Sequence, residues 1–463
     1  MTTALLIDFG STFTKLRAVD LEGAELIGAG QGPSTVATDV TEGLNAALAD
    51  LEGTTGGFKD FKHRLACSSA AGGLGMVTVG LVRELTAEAA KLAALGAGAK
   101  LTGAFSYGLT QGDVRDIEAL DPDIVLLAGG TDGGDADVIL ENAGVLAESS
   151  LQCPIIAAGN RRAADDVRAI LESAGKTVTV TENVMPEFGQ LNVEPARAAI
   201  RRVFIDRIVH AKGIDKAQAM FDRVLMPTPA AVLEGARLLS EGREGTPGLG
   251  PLVVVDVGGA TTDVHSVASG EPTAEGVIPH GLPEPYLKRT VEGDLGMRIN
   301  VQAIAEAAGL EALAEAAGVA PDRARELLSA LAGDVERLPE TQDEKRFDQA
   351  LASAALEAAV ARHAGSINIV QMVTGPVSVQ TGKDLGAVKA LIGTGGVLAM
   401  GLDPGAALKK GLADPEKPQS LRPQAPKLLL DRDYVLFACG LLAEKEPDAA
   451  LTLGLKHMHP VGG

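Results

Sequence analysis

Two segments of the chain set a carboxylate, glycines and hydroxyls at matching intervals. The first is LLIDFGSTFTK, from Leu5 to Lys15, and the second is VVVDVGGATTD, from Val253 to Asp263. In each, an apolar run ends in an Asp (Asp8, Asp256), with a Gly two residues on (Gly10, Gly258) and a Thr six residues on (Thr14, Thr262). Each continues into a second apolar stretch, LRAV in the first and VHSV in the second.

The chemistry this pattern suits is the holding of a nucleotide's phosphates. A buried strand fixes an Asp rigidly at its C-terminal end, and the tight turn that follows needs Gly for its backbone angles. Without a Cβ, the N–H groups of such a turn can approach phosphate oxygens closely. Two carboxylates facing each other across a cleft can hold a hydrated Mg²⁺ that bridges the phosphates of ATP. Asp8 and Asp256 are therefore the expected metal-holding and catalytic carboxylates, with Asp263 a further acidic candidate. Gly10, Ser11, Thr12 and Lys15 in the first segment, and Gly258, Gly259 and Thr261 in the second, are expected to line the phosphates. Thr12 and Thr261 add hydroxyls, and Lys15 adds a point charge. One Asp-x-Gly turn carries little, since such turns are common in hairpins. Two copies, one opening each half of the chain, carry the reading.

The elements that must position these residues follow from periodicity. Residues 4–8, 13–19 and 24–29 read as strands, and 41–52 as a short helix. Residues 77–96 carry Leu, Val and Ala at helical spacing. Between 121 and 185 strands 124–128, 154–158 and 177–181 alternate with helices 135–148 and 161–174, which reads as a parallel β-α-β-α-β insert. Residues 195–240 read as mainly helical, and the Gly- and Pro-rich 242–251 as a loop between lobes. Strand 252–257 opens the second unit. Residues 301–365, nearly all Ala, Leu, Glu and Arg, read as a helical subdomain. A strand and Gly turn at 388–398, a Pro-rich loop at 415–426, a strand at 427–430 and a helix at 433–443 complete the pattern. The expected division is 1–241 and 242–463, with a helical subdomain at about 300–365 and the C-terminal helix returning to the first lobe.

Composition narrows the class. The 463 residues are 46% apolar, enough for two domains with real cores. Only 3% are aromatic and none is Trp, so Ala and Gly must do much of the packing. With 41 Lys and Arg against 61 Asp and Glu, the net charge of −20 argues against nucleic acid or an anionic membrane as partner. Cys67, Cys153 and Cys439 form no CxxC pair, which fits a reducing cytoplasm and argues against an iron–sulfur site. No run approaches the roughly 20 apolar residues of a membrane helix.

The order of parts resembles the actin-like ATPase superfamily of actin, sugar kinases and heat-shock chaperones. The segment from Asp8 to Lys15 looks like its first phosphate loop and that from Asp256 to Asp263 like its second. IGTGGVL (392–398) looks like its adenosine loop, which implies Gly393, Gly395 and Gly396 as nucleotide-binding. MPTPAAVLEG (226–235) looks like the first interlobe connecting helix, and the end of 433–443 like the second. The resemblance implies an α/β, two-lobed, ribonuclease-H-like fold. Met226 stands where the chaperones place an acidic residue that helps position the attacking water, so slow turnover is expected.

Longer strings resemble the accessory protein of cobalamin-dependent glutamate mutase, a family called MutL. These are ACSSAAGGL (66–74), LAGGTDGG (127–134), TVEGDLGMR (290–298) and TGKDL (381–385). That resemblance implies an ATP-driven reactivating chaperone whose partners are the subunits of an adenosylcobalamin-dependent mutase. A small-molecule kinase of the same fold and a nucleotide-dependent scaffold remain open alternatives.

Other features have plainer readings. LAGGTDGG could bind an anion at a strand end, or be a Gly-rich turn that starts a helix. Asp294 and Arg298 could approach the nucleotide, or form ion pairs that fix the following helix. His457 and His459 form an H-x-H in what is expected to be a solvated tail. Cys67 is expected to be a buried small residue.

Overall fold

The computed structural model describes residues 2–10, 12–35, 39–55, 60–68, 74–211, 220–373 and 375–462. The chain divides into two compact units, Met1–Val232 with Gly281–Pro285, and Leu233–His280 with Tyr286–Gly463.

In unit 1 the first Asp-x-Gly segment joins β1 (Thr3–Phe9) to β2 (Phe13–Asp20), and β3 (Glu25–Pro33) follows. Every residue of β1 is buried, as befits a central strand covered on both faces. Next come β4 (His63–Ser68), β5 (Gly75–Gly80), β6 (Lys100–Ser106), β7 (Ile124–Leu127), β8 (Ile155–Ala157), β9 (Val178–Val180) and β10 (Arg223–Pro227). The first sheet has the order β3-β2-β1-β4-β10. Its first three strands run antiparallel, and β4 and β10 run parallel to β1.

The other five strands make a separate parallel sheet, β6-β5-β7-β8-β9. It contains the three strands read at 124–128, 154–158 and 177–181, and it also contains β5 and β6. Its side chains alternate between two apolar clusters. Met76, Leu126 and Ile156 point into the cluster that holds Phe9, Leu16 and Phe204. Val77, Val79, Val125, Leu127 and Ile155 point into another with Leu146 and Leu171.

Unit 2 repeats the first arrangement. Its strands are β11 (Gly242–Arg243), β12 (Thr246–Pro247), β13 (Leu252–Val257), β14 (Thr262–Val267), β15 (Val277–His280), β16 (Leu287–Glu292), β17 (Ser366–Met372), β18 (Gly375–Thr381), β19 (Ala390–Thr394), β20 (Lys427–Asp431) and β21 (Met458–Pro460). The main sheet has the order β16-β14-β13-β19-β20-β21. The β13–β14 hairpin and β16 are antiparallel, and β19 and β20 run parallel to β13. Counted along each unit, both main sheets therefore place their first five strands in the order 3-2-1-4-5. This is the ribonuclease-H-like arrangement, present twice, and the α/β fold class is as expected. The helices Val301–Ala308, Leu310–Ala317, Pro321–Gly333 and Gln342–His363 share one apolar cluster with the sheet, in which Ile304, Leu313, Leu327, Phe347, Leu351 and Val360 lie together with Val253, Val255 and Val264.

Three stretches differ from the sequence reading. Residues 75–80 are strand β5, and only Glu88–Gly96 of the 77–96 stretch is α-helix. The run MVTV satisfies either period over so few residues, and its β-branched members favour the strand. The mainly helical 195–240 stretch contains β10, whose pairing with β4 decides its conformation. The expected solvated tail is a helix, Pro447–His457, followed by edge strand β21 on β20. Among the described residues no helix is long and apolar enough to cross a membrane.

Candidate functional site

The two Asp-x-Gly hairpins close with the same turn. Gly10 N–H donates to the Phe13 carbonyl at 3.1 Å, and Gly258 N–H to the Thr261 carbonyl at 2.9 Å. A Cβ on Gly10 would lie 2.6 Å from that Phe13 oxygen, and one on Gly258 2.9 Å from the Thr261 oxygen, so the turn itself selects glycine. In register, Asp8 faces Lys15 across the first hairpin and Asp256 faces Asp263 across the second.

Both turns have their carbonyls tied down from one side. In unit 1, Ser34 donates its N–H to Thr12 O at 2.9 Å and its hydroxyl to Gly10 O at 2.8 Å. In unit 2, Met297 N–H donates to Gly258 O at 3.0 Å, while Arg298 and Ile299 N–H donate to Gly259 O at 2.8 and 3.0 Å. Among the described residues, no acceptor in the chain takes the N–H groups of Gly259, Ala260 and Thr261. Such a row of N–H groups suits an anion.

Asp8 is buried, 2% exposed. The Thr228 hydroxyl donates to its Oδ1 at 2.5 Å, and Cys67 Sγ lies 3.6 Å from the same oxygen. Burial, and then the neighbouring Asp8 charge, push the Cys67 thiol well above its ordinary range, so it stays a neutral thiol. Thr228 opens the helix Thr228–Glu241, which continues the MPTP string. Its side chain is the part of that string that reaches the carboxylate. Lys15 is half-buried and Thr12 is exposed. Ser11 lies outside the described residues, as do residues 69–73 of the ACSSAAGGL string.

In unit 2, Asp256 is half-buried at the end of β13. Gly395, at φ +96°, lies directly against it: a Cβ there would stand 2.6 Å from Asp256 Oδ1 and 2.5 Å from Val257 O. The structure thus brings the expected adenosine loop onto the segment expected to be the second phosphate loop. Gly393 is buried in β19, and Gly396 opens a short helix with space around its Cα. The Thr394 hydroxyl donates to Asp431 at 3.1 Å, and Asp431 also accepts the N–H groups of Val435 and Leu436 at 2.8 and 3.1 Å. Thr228, Thr394 and Asp431 were not among the residues read from sequence. Their partners lie 220 and 37 residues apart for the two threonines, and no local pattern announces them.

Asp263 is buried and shared. Arg289 binds its Oδ1 through Nε at 2.8 Å and through its terminal nitrogen at 2.6 Å, and the Thr261 hydroxyl donates to Oδ2 at 2.9 Å. Met226 is half-buried in β10, in register with Cys67. Asp294 and Arg298 each pair with the Gln342–His363 helix. Arg362 grips Asp294 at 2.7 and 2.8 Å and holds its carboxyl below the usual range, and Arg298 pairs with Asp348 at 2.7 Å. The LAGGTDGG loop is tied internally: Asp132 accepts from Arg161 N–H at 3.0 Å and from Asn183 Nδ2 at 2.9 Å.

The family model described as MutL protein matches residues 4–458. The chain belongs to the MutL protein family. Protein MutL of Clostridium tetanomorphum is 47% identical over 459 residues, 99% of each chain. Among solved structures, the xylulose kinase from Bifidobacterium adolescentis is 13% identical at a TM-score of 0.31, covering 100% of this chain and 94% of that one. A glycerol dehydratase reactivase is 11% identical at a TM-score of 0.34, covering 96% and 99%. Likeness this distant carries no argument about the chemistry of this chain.

Proposed function

We propose that this MutL family member binds Mg²⁺-ATP and acts as a reactivating accessory protein for an adenosylcobalamin-dependent mutase, such as glutamate mutase. The observation that carries the nucleotide reading is the repeated hairpin: one Asp, one Gly turn and one set of clamped carbonyls, built twice. In each unit the residues fit a metal-bound phosphate. Asp8 and Asp256 offer carboxylates at strand ends, and the loop amides offer donors. Mg²⁺ would supply charge neutralisation between the phosphates. Gly10, Ser11, Thr12 and Lys15, with Gly258, Gly259 and Thr261, are assigned to the phosphates. Gly393, Gly395 and Gly396 are assigned to the nucleoside.

The residues of this chain have separable tasks. Thr228, which donates to one oxygen of Asp8, holds that carboxylate in one rotamer. Gly395 fixes the nucleoside loop against Asp256, which links occupancy of that loop to the carboxylate's position. Asp263 orients the Thr261 hydroxyl and is itself held by Arg289, so a role as base would require that pair to open. With Met226 in β10 and no carboxylate at that position, hydrolysis is slow and the protein works as a switch. Differential binding of ATP and ADP then sets how far the partner can be remodelled.

Two experiments test this. Titration of the full chain with a fluorescent ATP analogue, with and without Mg²⁺, should show saturable binding that Asp8→Ala and Asp256→Ala each abolish; unchanged binding in both variants would sink the nucleotide reading. Separately, inactivated mutase is incubated with this protein, Mg²⁺-ATP and fresh adenosylcobalamin. Recovery no faster than without the protein removes the reactivation reading and leaves the nucleotide site standing.

A further inference from the structure

The C-terminal segment places three metal-ligating side chains together. Asp433 sits in the turn after β20, His457 is the last residue of the Pro447–His457 helix, and His459 is the middle residue of β21. His457 Nδ1 lies 2.6 Å from Asp433 Oδ2, and His459 Nε2 lies 3.0 Å from the same oxygen. Among the described residues, this trio presents one ligand atom each, all within 4.8 Å of one another. The side chains are 34%, 16% and 41% exposed, open enough for an ion to enter and packed enough to hold their orientation.

We propose that Asp433, His457 and His459 form a binding site for one borderline divalent cation of the Zn²⁺ class, with water completing its shell. Two imidazole nitrogens and one carboxylate oxygen are the donor set such an ion takes, and three protein ligands leave a position for solvent. The geometry is close to what coordination requires. Ligands at about 2.0–2.1 Å from a tetrahedral ion lie about 3.3 Å apart, so the two contacts to Oδ2 need to open by well under about 1 Å, while the two imidazole nitrogens, within 4.8 Å of each other, need to draw closer. One cation would replace the two N–H protons that now converge on Oδ2. The ion also sits at the C-terminal end of a helix, where its carbonyls favour positive charge. The donors come from the turn after β20, the end of the Pro447–His457 helix and β21, so the ion fastens edge strand β21 to the turn that follows Asp431. Asp431 in turn bonds Thr394, one residue before Gly395.

The test uses the full chain, freed of metal by chelation and dialysis and kept free of nucleotide. Zn²⁺ is titrated against a chromophoric competitor, and Co²⁺ is added in parallel as a spectroscopic probe. The expected result is one saturable equivalent, a rise in Tm with Zn²⁺, and visible Co²⁺ d–d bands without a thiolate charge-transfer band. The substitution His459→Gln keeps a donor to Asp433 but is a poor ligand. It should weaken Zn²⁺ by more than about tenfold while leaving the metal-free Tm near that of the parent. Absence of a saturable equivalent overturns the proposal, as does equal affinity in the variant. So does a thiolate band, since Cys67, Cys153 and Cys439 are all buried in the folded chain. The wild-type Co²⁺ spectrum decides the matter even if a variant fails to fold.

Discussion

At the scale of single residues, the carboxylates were legible and what holds them was not. Asp8 and Asp256 stand out because strand, Asp and Gly turn are local in sequence. Thr228 does not, because its bond to Asp8 is made across 220 residues. That bond is short and buried, so Thr228→Val should cost about 1–3 kcal/mol by removing a donor from a buried carboxylate. It should also lower Mg²⁺-nucleotide affinity, and Thr228→Ser should restore both in a thermal melt and a binding titration. The buried histidines were equally hidden, since VHSV reads simply as a strand. His265 has its pKa pushed down to about 3, first by burial and then by Arg289. His363, bonded to Thr290 at 2.9 Å and Ser266 at 2.8 Å, is also held well below its ordinary value, chiefly by burial. Both are neutral when folded and take up protons when unfolded near pH 6.5. Their contribution to stability is therefore complete above about pH 6.5 and is lost progressively as pH falls below it toward the depressed folded values. Each steepens the fall by up to about 1.4 kcal/mol per pH unit. Denaturant melts at pH 7, 6 and 5 should show this slope. A fold that keeps its full stability down to pH 5 contradicts the buried, neutral assignment.

At the scale of elements, glycine separates structure from ligand contact. Gly395 combines a left-handed φ with a carboxylate and a carbonyl packed on its Cα. Gly395→Ala should destabilise the protein by about 1–3 kcal/mol and displace Asp256 as well, lowering both Tm and nucleotide affinity. Gly396, one residue on, has no atom within 4 Å of where a Cβ would stand. Gly396→Ala should leave Tm unchanged or slightly raised, because alanine suits the first turn of a helix better. A fall in nucleotide affinity alone would then place the nucleoside against that residue. Unchanged affinity would remove Gly396 from the site. The expectation that Gly does part of the packing holds at Gly235, where a Cβ would meet the Leu436 carbonyl of the Leu436–Leu442 helix at 2.3 Å. Gly235→Ala should lower Tm by forcing those helices apart, which a melt checks directly. Among the elements that escaped the sequence, β5, β10 and β21 are short strands of three to six residues. Over such lengths period 2 and period 3.6 cannot be told apart, and pairing with a neighbour decides.

At the scale of the molecule, duplication was readable because the repeated loops mark the first hairpin of each sheet. The extent of the parallel sheet was not, because its strands β5 and β6 precede the regular β-α alternation. That extent has a consequence for how unit 1 is built. A segment merely plugged into a lobe would keep its core to itself. Here Met76, Leu126 and Ile156 share one apolar cluster with Phe9, Ala66, Ile200 and Phe204. The Glu88–Gly96 helix packs on β5 and on the Glu194–Ala211 helix, joining the two sheets through side chains rather than through a linker. Replacing residues 75–180 by a short Gly-Ser link would leave Ile200, Phe204 and their neighbours facing water. Each large apolar side chain so exposed costs about 1.5–3 kcal/mol, and a few of them exhaust the roughly 5–15 kcal/mol by which a domain is stable. The shortened chain is therefore expected to lose the cooperative melt of unit 1 and to bind a hydrophobic dye. Calorimetry of the shortened and full chains checks this. A shortened chain that still melts cooperatively in unit 1 would show that the parallel sheet is an appendage, and that the shared cluster contributes little to the fold.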